Sequence, residues 1–178
     1  MIMALVWVLG GVLAVLAAGR LGRMWLRYRG RRLITCPENQ RPQGVELDAL
    51  HAAATGFVRR PELRLSDCTR WPERAGCGQQ CLSQIQTAPD GCLIRNIVAR
   101  WYEGKSCASC GRPFGRIDWS AVRPAVLLPD KTSVEWSELP AETLSEVLVA
   151  GAPMCIACHL ANKLVREHPK LVVKRSFQ

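Results

Sequence analysis

Two pairs of cysteines, Cys107-x2-Cys110 in SCASCGRPF and Cys155-x2-Cys158 in PMCIACHLANKL, carry the most chemistry in this chain. A tetrahedral metal ion takes four soft ligands at about 2.3 Å, and each Cys-x-x-Cys turn offers two sulfurs from one tight loop. Gly111, directly after Cys110, suits the positive φ that such a turn requires. The second pair stands at the start of an expected helix, whose N-terminal amides favour thiolate. The letters Cys155-Ile-Ala-Cys158-His159 also spell a c-type haem attachment with His159 as axial ligand, and Cys107 and Cys110 alone could serve as a redox dithiol.

Five further cysteines lie upstream: Cys36, Cys68, Cys77, Cys81 and Cys92. The Cys77-x3-Cys81 spacing puts two thiols one helical turn apart. Cys36 and Cys68, each at the end of an expected strand, complete a second four-sulfur set. Cys92 opens an apolar helical stripe and reads as a small buried residue.

A turn that supplies one cysteine pair and a helix N-terminus that supplies the other resemble a treble-clef or zinc-ribbon module over residues 105–168. The resemblance implies a zinc site formed by Cys107, Cys110, Cys155 and Cys158. The chain departs from the simple pattern in spacing, because 44 residues separate the two pairs against about 15 to 20. The elements between residues 125 and 150 are then an insertion.

The elements that must hold these cysteines can be read from pattern. Leu33, Ile34, Val45 and Leu47 predict two strands joined at Cys36-Pro37, and PELRLSDC predicts a third that ends on Cys68. HAAATGFVRR predicts a short helix stopped by Gly56, and a further helix is expected around Cys77–Gln86. CLIRNIVARWYEG has Leu93, Ile97, Val98 and Trp101 at helical spacing and joins the two cysteine-bearing halves. AVLLP and TSVEW predict a hairpin, LPAETLSEVLVAG a helix, and CIACHLANKLVREHP a last helix with Leu160, Leu164 and Val165 on its apolar face. The large core residues are expected to be Trp71, Trp101, Trp119 and Trp136, and TRWPERAGC to be an ion-paired loop around Trp71.

Upstream of all this, Ile2 to Gly19 is uncharged and free of proline, a length of roughly 27 Å in a helix, close to the apolar thickness of a bilayer. No basic residue precedes it and no Ala-x-Ala site ends it, which argues against a cleaved signal peptide. Arg20, Arg23, Arg27, Arg29, Arg31 and Arg32 follow it, so the positive-inside rule places the N-terminus outside and residues 33–178 in the cytoplasm. Those six arginines supply most of the net charge of +9 and leave the rest of the chain at +3. A basic segment beside a membrane pairs with anionic lipid, so nucleic acid is not expected as a partner.

The expectation is therefore an α+β chain: an anchor over residues 1–32, a cysteine-rich subdomain over 33–104 and a treble-clef-like subdomain over 105–178. In a reducing cytoplasm its thiols read as metal ligands rather than disulfides. The cofactor expected is Zn²⁺, one ion or two, with iron or an iron–sulfur cluster as the alternative. A bacterial inner membrane suits the short anchor, and a protein of unknown identity is the expected partner. His51 and His168 are isolated, and neither a phosphate loop nor a nucleophile elbow occurs, so the sequence makes no positive case for an enzyme.

Overall fold

The structure, a computed structural model, describes residues 2–74, 76–117, 119 and 123–169. It is α+β, with an N-terminal apolar helix and two small antiparallel sheets, and it divides into two compact units, Met1–Ile94 and Arg95–Gln178.

In the first unit α1 (Ile2–Tyr28) is a single helix of 27 residues, about 40 Å long at the usual rise. It is long and apolar enough to cross a membrane. Trp7, Val8, Leu13 and Val15 are all more than half exposed along it, which is the wrong surface for water. Its last turns leave the apolar stretch and join the core of the unit. Tyr28 is buried there, and Met24 lies so close to α2 (Ala49–Gly56) that a Cβ on Gly56 would meet the Met24 methyl at 2.5 Å.

Arg32 holds that junction. Although the sequence places it among the lipid-facing arginines, it is fully buried, and its guanidinium donates to the carbonyls of Arg27 (2.8 Å), Tyr28 (2.7 Å) and Gly30 (2.9 Å). These groups sit where α1 ends and its last carbonyls lack helical partners, so a cation with several donors is the natural cap.

The strands β1 (Arg32–Thr35), β2 (Pro42–Leu47) and β3 (Leu65–Cys68) form an antiparallel sheet in that order. Ile34, Val45, Leu47 and Leu65 face a core closed by Ile85 of α3 (Leu82–Thr87), as the alternation predicts. The helix expected from Cys77 begins only at Leu82. Gln79 has φ of +51°, which a helix cannot contain, so Cys77 and Cys81 do not share a helical face.

In the second unit, α4 (Ile94–Tyr102) leads into the 107–110 turn. Next come β4 (Ala125–Leu127) and β5 (Ser133–Glu135), which form the expected hairpin, and α5 (Leu144–Ala150). A third strand, β6 (Ala152–Met154), was not foreseen; it pairs with β4 on the side away from β5. α6 (Ile156–Glu167) follows at once. Gly151 makes the tight passage from α5 to β6 possible, since a Cβ there would lie 2.5 Å from Val126 and 2.6 Å from the Val147 carbonyl oxygen.

Tyr102 is the polar centre of this core. It is fully buried, its hydroxyl donates to the Ala125 carbonyl and accepts from Trp136 Nε1 at 2.9 Å, and burial pushes its phenol pKa well up. Trp101 packs edge-on against Tyr102 and Trp136 at 5.0 and 5.4 Å, and its indole N–H donates to the Leu148 carbonyl of α5 at 2.8 Å.

Candidate metal centre

The turn that carries the first cysteine pair is closed by two backbone hydrogen bonds. Cys107 N–H donates to the Arg112 carbonyl and Gly111 N–H to the Cys107 carbonyl, both at 2.9 Å, with Gly111 at φ +71°. This is the positive φ expected of Gly111 from sequence. The turn is tied to β6 by the Ala108 N–H, which donates to the Pro153 carbonyl at 2.8 Å. β6 runs directly into Cys155, the N-cap of α6, with Cys158 in the first turn of that helix. The intervening hairpin and helix are followed by β6, which pairs with β4 and returns the chain to the turn it left.

The four sulfurs of Cys107, Cys110, Cys155 and Cys158 all lie within 4.8 Å of one another. Among the described residues this is the only set of three or more His, Cys, Asp or Glu side chains so arranged. Cys110 Sγ and Cys155 Sγ are 3.8 Å apart. Ligands about 2.3 Å from a tetrahedral centre are separated by about 3.8 Å, whereas a disulfide would bring sulfurs to about 2.05 Å.

Two thiols of the cluster differ in acidity. Burial would push the Cys107 thiol up, but the amides of Cys155, Cys110 and Ser109 together with the Cys110 side chain bring it down to about 6. At Cys158 a hydrogen bond from Ser109 favours the thiolate, yet Cys155, burial, Cys110 and Cys107 outweigh it and drive the thiol up to about 12. Amides thus favour the thiolate at Cys107, while the neighbouring sulfurs oppose it at Cys158.

His159, the axial ligand of the haem reading, is buried. Its Nδ1 lies 2.9 Å from Ser133 Oγ, which also approaches Asn162 Oδ1 at 3.1 Å. This contact, of the kind expected of a histidine in the first turn of the last helix, fastens α6 to β5 beside Cys155 and Cys158. Leu160, Leu164 and Val165, the apolar face expected of this helix, are about half exposed.

The other set is gathered more loosely. Cys36, Cys68, Cys77 and Cys81 line one cavity of about 30 Å³ in the first unit, although no three of their sulfurs lie within 4.8 Å of one another. Cys36 accepts from Arg70 Nη1 at 3.2 Å, and the same nitrogen reaches Glu38 at 2.6 Å. Burial raises the Cys36 thiol, but the amides of Glu38 and Asn39 and the Arg70 guanidinium win and lower it. Cys81 is pushed up to about 11, first by burial and then by Cys68, Cys77 and Cys36. Cys92 does not line the cavity; it packs against the core, with its thiol 3.8 Å from the Gln84 carbonyl. The TRWPERAGC loop is ion-paired, with Arg70 and Arg74 both on Glu38.

No family model matches the chain, and neither a curated protein nor a solved structure matches it.

Proposed function

We propose that this chain is a membrane-anchored zinc protein that acts as a binding or adaptor module. The observation that carries the reading is the set of four sulfurs within 4.8 Å, with a 3.8 Å edge suited to a tetrahedral ion. Zn²⁺ fits a site made wholly of thiolate, and four protein ligands leave no open position for a substrate. The ion then works as a crosslink, holding the 107–110 turn to β6 and α6.

α1 supports the anchoring, with its exposed apolar length and the basic residues Arg20, Arg23 and Arg27 on its cytoplasmic side. In this reading the N-terminus is outside a bacterial inner membrane and both units lie in the cytoplasm, close to anionic lipid. Because Tyr28 and Met24 belong to the core of the first unit, the anchor meets its domain without a flexible tether. A protein partner is the remaining part of the proposal; the half-exposed Leu160, Leu164 and Val165 of α6 support it.

The test is metal analysis, with a visible spectrum, of the full chain purified in detergent without oxygen or added metal. Colourless protein holding zinc, with zinc lost in Cys110→Ser/Cys158→Ser, is the expected result. Iron with visible absorption would make the chain an electron carrier instead, and a haem Soret band would also reverse the topology. Zinc retained in full by that double variant would overturn the assignment of the site.

A further inference from the structure

The turn after β1 repeats the backbone of the 107–112 turn. Cys107 N–H donates to the carbonyl five residues on (Arg112), and its carbonyl accepts from the residue four on (Gly111), which has φ of +71°. At Cys36 the same pair recurs: its N–H donates to Arg41 O at 2.9 Å, and its carbonyl accepts from Gln40 N–H at 2.8 Å, with Gln40 at φ +56°. The sulfurs match as well. Amides two and three residues on point at Cys107, from Ser109 and Cys110, and at Cys36, from Glu38 and Asn39. Gln40 adopts an uncommon conformation for a residue with a Cβ, so the fold maintains this turn at some cost.

Cys36 therefore occupies the place of the first ligand in a metal-binding turn, with Asn39 where the second would stand. The missing sulfurs are at hand. Cys68 ends β3, Cys81 immediately precedes α3, and Cys77 sits on irregular backbone between them; all three share the cavity with Cys36. A volume of about 30 Å³ is room for a body of the size of one ion or one to two waters. Two donors line the same cavity: Arg70 on Cys36 Sγ, and Trp71, whose buried indole N–H meets no acceptor among the described residues.

We propose that Cys36, Cys68, Cys77 and Cys81 hold a second, mononuclear divalent metal ion of the zinc type, separate from the Cys107–Cys158 centre. Binding closes the set, with Cys77 making the largest movement because neither helix nor strand fixes it. Cys92 takes no part.

The experiment counts bound zinc in the full chain in detergent by native mass spectrometry. It compares wild type with Cys110→Ser/Cys158→Ser and with Cys68→Ser/Cys77→Ser. Two ions in wild type and one in each variant are expected. A single ion, lost with the first pair and kept with the second, overturns this centre and leaves the first standing. A single ion lost only with the second pair supports this centre and overturns the other. Alkylation of the wild type guards against misfolded variants: Cys36, Cys68, Cys77 and Cys81 should be protected together by zinc and released together by a chelator, with Cys92 unchanged. Reactivity of those four that ignores the chelator overturns the proposal.

Discussion

The backbone N–H of Cys155 donates to the sulfur of Cys107 at 3.3 Å, across 48 residues of chain. This bond links the turn to the helix cap before any ion is considered, so the site is preorganised by backbone. A tetrathiolate zinc site is worth about 10–16 kcal/mol of apparent binding energy, or roughly 3 kcal/mol per sulfur. Cys110→Ser, which removes the most exposed ligand, should weaken zinc binding by about 100-fold, read by competition with a chromophoric chelator. An affinity within threefold of wild type would mean that Cys110 is not a ligand.

Zinc affinity should also depend on pH with a break. Metal displaces thiol protons, so affinity falls as pH falls. Above about 6 the Cys107 thiol of the metal-free protein is already ionised and contributes no proton; below about 6 it is protonated and contributes one. Cys158, at about 12, gives up a proton at every working pH. The count of protons released per zinc, measured by calorimetry in buffers of different ionisation enthalpy, should rise by about one between pH 7 and pH 5. A constant count would place Cys107 outside the titrating set.

The four-sulfur site could be read directly because its signal is local: each pair lies within four residues and needs no long-range information. The β1–β2 and β4–β5 hairpins were equally legible, as alternating or β-rich runs around turn residues. β6 was hidden because Ala152, Pro153 and Met154 form a strand only against β4. The turn at Cys36 was hidden for a different reason: its second ligand position holds Asn39 and its positive φ falls on Gln40 rather than glycine. Arg32 looked like its basic neighbours, and only the end of α1 makes it a cap. The exposed Leu160 and Leu164 show the limit of periodicity, which predicts a face but not what covers it.

Tyr102→Phe should destabilise the second unit while leaving all four zinc ligands in place. The substitution keeps the ring and removes the hydroxyl, leaving Trp136 Nε1 without an acceptor and the Ala125 carbonyl without this donor. Buried groups deprived of a partner cost about 1–3 kcal/mol. Urea unfolding of the zinc-loaded chain, followed by tryptophan fluorescence, should show a loss in that range with unchanged zinc content. A loss below about 0.5 kcal/mol would mean that the hydroxyl contributes nothing net.

Gly151→Ala should be more damaging than its size suggests. The added methyl would meet the Val147 carbonyl oxygen at 2.6 Å, and backbone cannot rotate away as a side chain can. Relief requires the end of α5 to shift, and β6 with it, so Cys155 would move relative to Cys107. Overpacking of this kind costs about 1–3 kcal/mol, and here part of the loss should appear as weaker zinc binding. Gly151→Ala should therefore lower both the urea midpoint and the zinc affinity. Equal zinc affinities for Gly151→Ala and wild type would show that β6 does not set the position of the second cysteine pair.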